Sequence, residues 1–324
     1  MKITILSYLD AETDKELDVV VAQVAKALRK LGHRVSILGV HGDVKKLIGG
    51  LSRRKPDLIF NLMEMWREDL TGDIPVVGLF ELLGYRYTGS GPGELYLTQD
   101  KALGKKILAF DGISFPRFAV FSKNADFETG GNLRMPLFVK PLRMDASIGI
   151  DAKALVGDAI TLMKRVVHIH DELGDAALAE EYIEGREFYV GILGNQNPLA
   201  LPPIEVDFSG LPEGAPHVLD NRAKWDDKST EYQGTRSVIA QIPDELRARL
   251  HKVSLDAYRA LRVRDYGRVD LRVTDTGEIY VLEVNASCYL EKSSEFAMAA
   301  EAAGIPYTDL IGRIVALAAE RYGK

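Results

Sequence analysis

The segment YGRVDLRVTDTGEIYVLEVN, residues 266–285, carries the densest set of groups able to do chemistry. Arg268 and Asp270 lie two apart in one apolar alternation, and Glu283 and Asn285 lie two apart in the next. Asp275, Thr276 and Gly277 make a turn between them. Side chains alternate across a strand, so each pair projects from one face, and a hairpin brings the two pairs together. Two carboxylates and an amide oxygen are hard ligands suited to Mg²⁺, which keeps several waters and shares substrate phosphates. Arg268 beside them is placed to stabilise oxyanion charge. The same residues also fit a hairpin with a solvated charged face and an ordinary cross-strand ion pair. The segment alone leaves both readings open.

Three further segments are as ambiguous in isolation. In PLFVKP, Lys140 ends an apolar strand, where it would reach a phosphate as a point charge or simply be solvated. In LTQDKALGKK, Lys101 opens a helix, while Lys105 and Lys106 read as surface charges. In ALAEEYIEGREFYVGILG, Glu180, Glu181, Tyr182, Ile183 and Glu187 offer an apolar slot and carboxylates for a ribose. An edge strand with exposed acids fits them equally. TGSGPG, residues 88–93, is neither a P-loop nor a dinucleotide fingerprint and reads as a turn and interdomain hinge. His168 and His170 face different ways near a helix end and read as structural.

These residues need a scaffold, and the apolar patterning supplies one. Ile3 to Leu9, Lys15 to Leu31 and Arg34 to Val40 predict a βαβ opening, with Gly32 closing the helix. Asp57 to Met63 predicts a third strand, and Ile74 to Leu83 a helix ended by Gly84. The predicted organisation is a Rossmann-like parallel-sheet domain over 1–92, an α+β block over 93–185, and a mainly antiparallel unit over 186–324. In the middle block, Leu97 to Phe110 reads as one helix.

Composition excludes several function classes. A hydrophobic content of 46% is too high for general disorder, and a net charge of −6 without a basic block offers no footprint for nucleic acid or anionic membrane. A single cysteine, Cys288, rules out an intramolecular disulfide, and six scattered histidines argue against a zinc cluster. No run approaches the ~20 apolar residues that span a bilayer, and the N-terminus lacks signal-peptide features. A soluble, cytoplasmic protein is the expectation.

The order GYRYTGSG, DKALGKK, PLFVKP, EEYIEGREF, RVDLRV, VLEVN resembles the D-alanine–D-alanine ligase family of ATP-grasp enzymes over nearly the whole chain. The resemblance implies an α/β chain with an ATP-grasp fold behind the Rossmann-like domain, and ligation of a carboxylate to an amine through an acyl phosphate. Lys101, Lys140 and Lys224 would contact nucleotide phosphates; Glu180, Glu181, Ile183 and Glu187 would line the adenosine site. Asp270, Glu283 and Asn285 would hold Mg²⁺, two ions with Mn²⁺ as an admissible replacement, and Arg268 would steady the transition state. Ser147 falls in the loop over the γ-phosphate, Glu16 in the network around the first amino acid, and Ser294 where the second substrate's carboxylate binds. A homodimer acting on small-molecule substrates is implied as well.

Departures from the family pattern cluster where substrate is recognised. RMDASIG puts Asp145 and Ala146 where a glycine and a hydroxyl are usual, and Trp225 replaces a tyrosine. Asn285 leads into ASCYLEKSSE, so Tyr289 and Glu291 enter the second-substrate loop, and Glu64 stands about where a histidine would. The sequence therefore predicts an amino-acid ligase of altered specificity. The alternatives are a genuine D-alanine–D-alanine ligase and an ATP-binding regulatory protein without the chemistry. The retained metal set speaks against the last, and the absent fingerprint against a dinucleotide oxidoreductase.

Overall fold

Short β-branched strands alternate with amphipathic helices at the start of the chain, which dictates a parallel sheet with helical crossovers. The computed structural model describes residues 1–11, 17–123, 127–129, 131–144, 147–151, 153–212, 214, 217–219 and 228–323. Strands β1 (Lys2–Tyr8), β2 (Arg34–Val40) and β3 (Leu58–Leu62) pair in parallel in the order β2-β1-β3. Helix α1 (Val19–Lys30) starts at Asp18, whose carboxylate accepts from the Val20 amide, and ends before Gly32 at φ +81°. Helices α2 (Val44–Arg54) and α3 (Asp73–Leu82) follow.

The single helix expected from Leu97 to Phe110 is two, α4 (Pro92–Gln99) and α5 (Lys101–Phe110). Asp100 separates them: it ends one helix and caps the other, with its carboxylate accepting from the Leu103 amide. The glycine-rich run expected as a hinge is a packed junction. Tyr87 to Gly91 are buried, the Gly89 amide donates to Asp265, and Arg321 donates to the carbonyls of Tyr87 and Gly89.

Next come β4 (Phe118–Phe121), β5 (Phe127–Thr129), β6 (Leu137–Pro141), β7 (Leu155–Val156), α6 (Ala159–His168, extended by a π-helical turn Ile169–Leu173) and β8 (Ala177–Glu181). They form an antiparallel sheet ordered β5-β4-β8-β6-β7. The rest of the chain gives β9 (Arg186–Leu193), β10 (Leu199–Ala200), β11 (Ile204–Asp207), α7 (Thr230–Gln233), β12 (Arg236–Ile239), α8 (Asp244–Ala260), β13 (Tyr266–Val273), β14 (Ile279–Asn285), α9 (Glu295–Ala302) and α10 (Tyr307–Arg321). Its sheet runs β12-β11-β9-β13-β14, with β10 on β9.

Two large cores run between the parallel sheet and this last sheet. One joins Leu6, Ile59 and Phe80 to Phe188, Tyr258 and Val269; the other joins Ile5 and Val24 to Phe296 and Ile314. The five-stranded sheet has smaller cores of its own, around Val139, Val166 and Ile169, and around Phe118 and Leu178. Among the described residues no single helix is long and apolar enough to cross a membrane.

Candidate active site

The two antiparallel sheets face each other across a cleft lined by Lys101, Lys140, Glu180, Glu187, Asp270 and Glu283, among others. On one wall, β8 is hydrogen-bonded on both sides, so Glu180 sits mid-sheet and is 3% exposed; it is no edge-strand acid. Register places Phe138 opposite Glu180, which leaves Lys140 on the same face and diagonal to the carboxylate. Lys140 Nζ lies 2.9 Å from Glu180 Oε2, and Lys105 Nζ lies 2.8 Å from Oε1. Burial alone would push the Glu180 carboxyl up, but the two ammonium groups hold it below its ordinary value.

Lys105 is therefore not the surface charge its sequence context suggests. It is 2% exposed, because it lies one helical turn from Lys101 on the inward face of α5. Its neighbour Lys106 is exposed and pairs with Glu128. Lys101 itself is buried in the cleft wall and donates to the Met144 carbonyl at 2.8 Å. Glu181 and Ile183 continue the rim; Glu181 accepts from the Arg134 amide and Ile183 offers its carbonyl to Arg272. Ser147, at φ +60°, closes one end and donates to the Leu219 carbonyl at 2.9 Å.

The opposite wall is the face of β9, β13 and β14. Antiparallel register sets Arg268 opposite Asn285, Asp270 opposite Glu283, and Arg272 opposite Glu187. Arg268 donates to both Asp270 oxygens, at 2.7 and 2.9 Å, lies 3.5 Å from Glu295, and stacks 4.5 Å from the centre of the Tyr189 ring. Burial would lower its pKa, but Asp270 and Glu295 raise it well above the ordinary value. Asn285 Nδ2 donates to Asp270 Oδ2 at 3.1 Å. Among the described residues no three His, Cys, Asp or Glu side chains converge as a metal cluster. What converges is two carboxylates and an amide, a sparse hard set that fits Mg²⁺ shared with a phosphate substrate and would not fit zinc.

Arg272 is a further charged residue of the cleft, not among those the sequence singles out. It donates twice to Glu187 Oε2, at 3.1 and 2.8 Å, and stacks on Tyr182 at 4.9 Å. The alternation that singles out Arg268 and Asp270 continues to Arg272, so the signal was there.

The second cluster lies in the loop after Asn285. Tyr289 donates its hydroxyl to Asp18, the cap of α1, at 2.8 Å. Burial and then this hydrogen bond push the phenol well above its ordinary pKa, and the charges of Glu64 and Glu291 act in the same direction. Glu64 is exposed and shares this neighbourhood. The Glu291 carboxylate is not paired with the Lys292 ammonium. Its Oε1 accepts from Gln23 at 2.6 Å and its Oε2 from the Ser293 amide at 2.7 Å, while Lys292 lies over the Tyr307 ring. Ser294 caps α9 by accepting from the Ala297 amide. Glu16 and Lys224, like Asp145, Ala146 and Trp225, lie outside the described residues.

The chain is similar to several known proteins. A family model described as "D-ala D-ala ligase C-terminus" matches residues 107–316. A D-alanine–D-alanine ligase of Aquifex aeolicus is 32% identical over 297 residues, 90% of this chain and 92% of its own. An uncharacterized protein of Sinorhizobium fredii is 34% identical over 310 residues, 92% of this chain and 87% of its own. The crystal structure of the Bacillus anthracis D-alanine–D-alanine ligase complexed with ATP superposes with a TM-score of 0.78 at 25% identity, covering 99% of this chain and 98% of that one.

Proposed function

The chain belongs to the D-alanine–D-alanine ligase family of ATP-grasp ligases, and from that premise we propose that it joins a carboxylate to an amine other than D-alanine, with ATP cleaved to ADP and phosphate. The observation that carries the ligase reading is the pairing of Lys140 and Glu180 on one wall with Arg268, Asp270 and Glu283 on the other. Nucleotide binding alone scarcely needs the whole set of Arg268, Asp270, Glu283 and Asn285.

In this reading ATP lies between the two sheets, with Lys101, Lys140 and Lys224 at its phosphates and Glu180, Glu181, Ile183 and Glu187 around the adenosine. Asp270, Glu283 and Asn285 would hold two Mg²⁺ ions, replaceable by Mn²⁺, which neutralise phosphate charge during transfer. The substrate carboxylate attacks the γ-phosphorus and ADP leaves. The amine then adds to the acyl carbon, a tetrahedral oxyanion forms beside Arg268, and phosphate departs as the amide forms, the amine proton leaving to the phosphate or to solvent. Arg268 is preorganised for that step, since Asp270, Glu295 and Tyr189 already fix its guanidinium. Ser147 and its loop would keep water from the acyl phosphate.

The acceptor preference is read from the loop after Asn285. Tyr289 and Glu291 tie it to α1 through Asp18 and Gln23, so the loop's shape, more than a bare Glu291 charge, would set what fits between it, Glu64 and Ser294. The test compares D-alanine with basic, acidic and aromatic amino acids as amines, in wild type and in Glu291→Thr. D-alanine best as both donor and acceptor, with an unchanged ranking in the variant, would contradict the altered preference.

A further inference from the structure

The β13–β14 ladder is irregular at the metal carboxylates: Asp270 faces Glu283, but Leu271 faces Val281, so Leu282 is an extra residue on β14. A bulge of this kind breaks the ladder locally and re-aims the neighbouring side chain, here that of Glu283. A backbone carbonyl displaced from the ladder needs another donor. For Leu282 the donor is Lys105, whose Nζ lies 2.6 Å from the Leu282 oxygen. The same ammonium is 2.8 Å from Glu180 Oε1, and Glu180 Oε2 holds Lys140 at 2.9 Å. One buried side chain thus bridges β8 in one sheet and β14 in the other.

We propose that Lys105 is a positioning residue that couples the phosphate and metal halves of the cleft, fixing Glu283 through the bulge carbonyl and Lys140 through Glu180. The proposal rests on the ATP and Mg²⁺ reading of the cleft given above. Charge counting supports it. Two lysines against one carboxylate leave a net positive charge at the wall that would meet a polyanion. Removing Lys105 leaves Glu180 and Lys140 as a matched pair, so no buried charge is orphaned and the fold should survive.

The experiment is calorimetric binding of ATP to Lys105→Met, first with the metal chelated and then across a Mg²⁺ series, with Lys106→Met as the exposed control. The concentration of Mg²⁺ that half-restores tight ATP binding should rise by about tenfold to a hundredfold, the usual effect of losing a residue that orients a metal ligand. Metal-free ATP affinity should fall as well, and Lys106→Met should match wild type. If Lys105→Met does not fold, Lys105→Gln takes its place: it keeps an N–H for the Leu282 carbonyl but drops the charge, so only the metal-free affinity should fall. A folded Lys105→Met with wild-type Mg²⁺ dependence, even at a lower melting temperature, overturns the proposal alone, as does a Lys105→Gln with wild-type metal-free affinity. Wild type that binds no ATP at any Mg²⁺ level overturns the functional reading and this proposal together.

Discussion

Arg272 and Glu187 show how a cleft residue can be both structural and poised for a ligand. Their side chains are nearly fully buried and directly opposed across β9 and β13. Arg272→Ala should destabilise the protein by about 3–5 kcal/mol, because Glu187 is left as a buried charge with the Tyr189 hydroxyl as its remaining side-chain donor. Urea unfolding checks this, and Glu187→Gln added to Arg272→Ala should recover much of the loss if the cost is the orphaned charge. Equal destabilisation in single and double variants would contradict it. Cys288 offers a second check at this scale. Burial pushes its thiol to about 12, so at pH 8 very little of it is the reactive thiolate. Alkylation of the native protein should therefore be far slower than after denaturation, and should accelerate as pH rises toward 12. Rapid labelling of the native protein at pH 8 would show that the site opens.

Asp100 is the smallest element-level feature that matters to the site, because it makes Lys101 the first residue of a new helix instead of a point midway along one. Asp100→Ala removes the acceptor of the Leu103 amide and should cost about 1 kcal/mol, with a weaker ATP affinity as α5 frays around Lys101. Unchanged stability and affinity would mean that α4 and α5 are set by tertiary packing alone. The same element shows where sequence reading stops. Strand β2 was legible to the residue, and β1, β3, β13 and β14 nearly so: β1 and β3 are short continuous apolar runs, as buried parallel strands are, and the alternation in β13 and β14 leaves little choice of face. The convergence of Arg268, Asp270, Glu283 and Asn285 was legible for the same reason. The break at Asp100 was not, because a cap residue inside a long apolar period is overruled or obeyed only by tertiary context. Helix α2 was hidden by Gly49, Gly50 and a run of basic residues. Lys105 was hidden because burial of a lysine depends on a carboxylate, Glu180, that is 75 positions away in sequence. The bulge at Leu282 has no signature in composition at all.

At the scale of the whole molecule, the first and last sheets share two cores while the five-stranded sheet is held by small cores of its own. The cleft lies along that weaker seam. A ligand bridging both walls should therefore stabilise the five-stranded sheet most: at 100 times its dissociation constant ATP would add about 2.7 kcal/mol. Hydrogen exchange should show the largest gain in protection in β6 and β8, and equal protection throughout would argue against a bridging nucleotide. Stabilisation by ATP still does not establish catalysis. The most direct measurement is release of ADP and phosphate with Mg²⁺ over a matrix of amino-acid carboxylates and amines, with mass spectrometry of the products. The expected result is release that depends on both substrates, one amide formed per ATP, an acceptor other than D-alanine, and loss of turnover in Asp270→Asn and Glu283→Gln. ATP binding with no amine-dependent release for any pair, or full turnover in both metal-site variants, would contradict it.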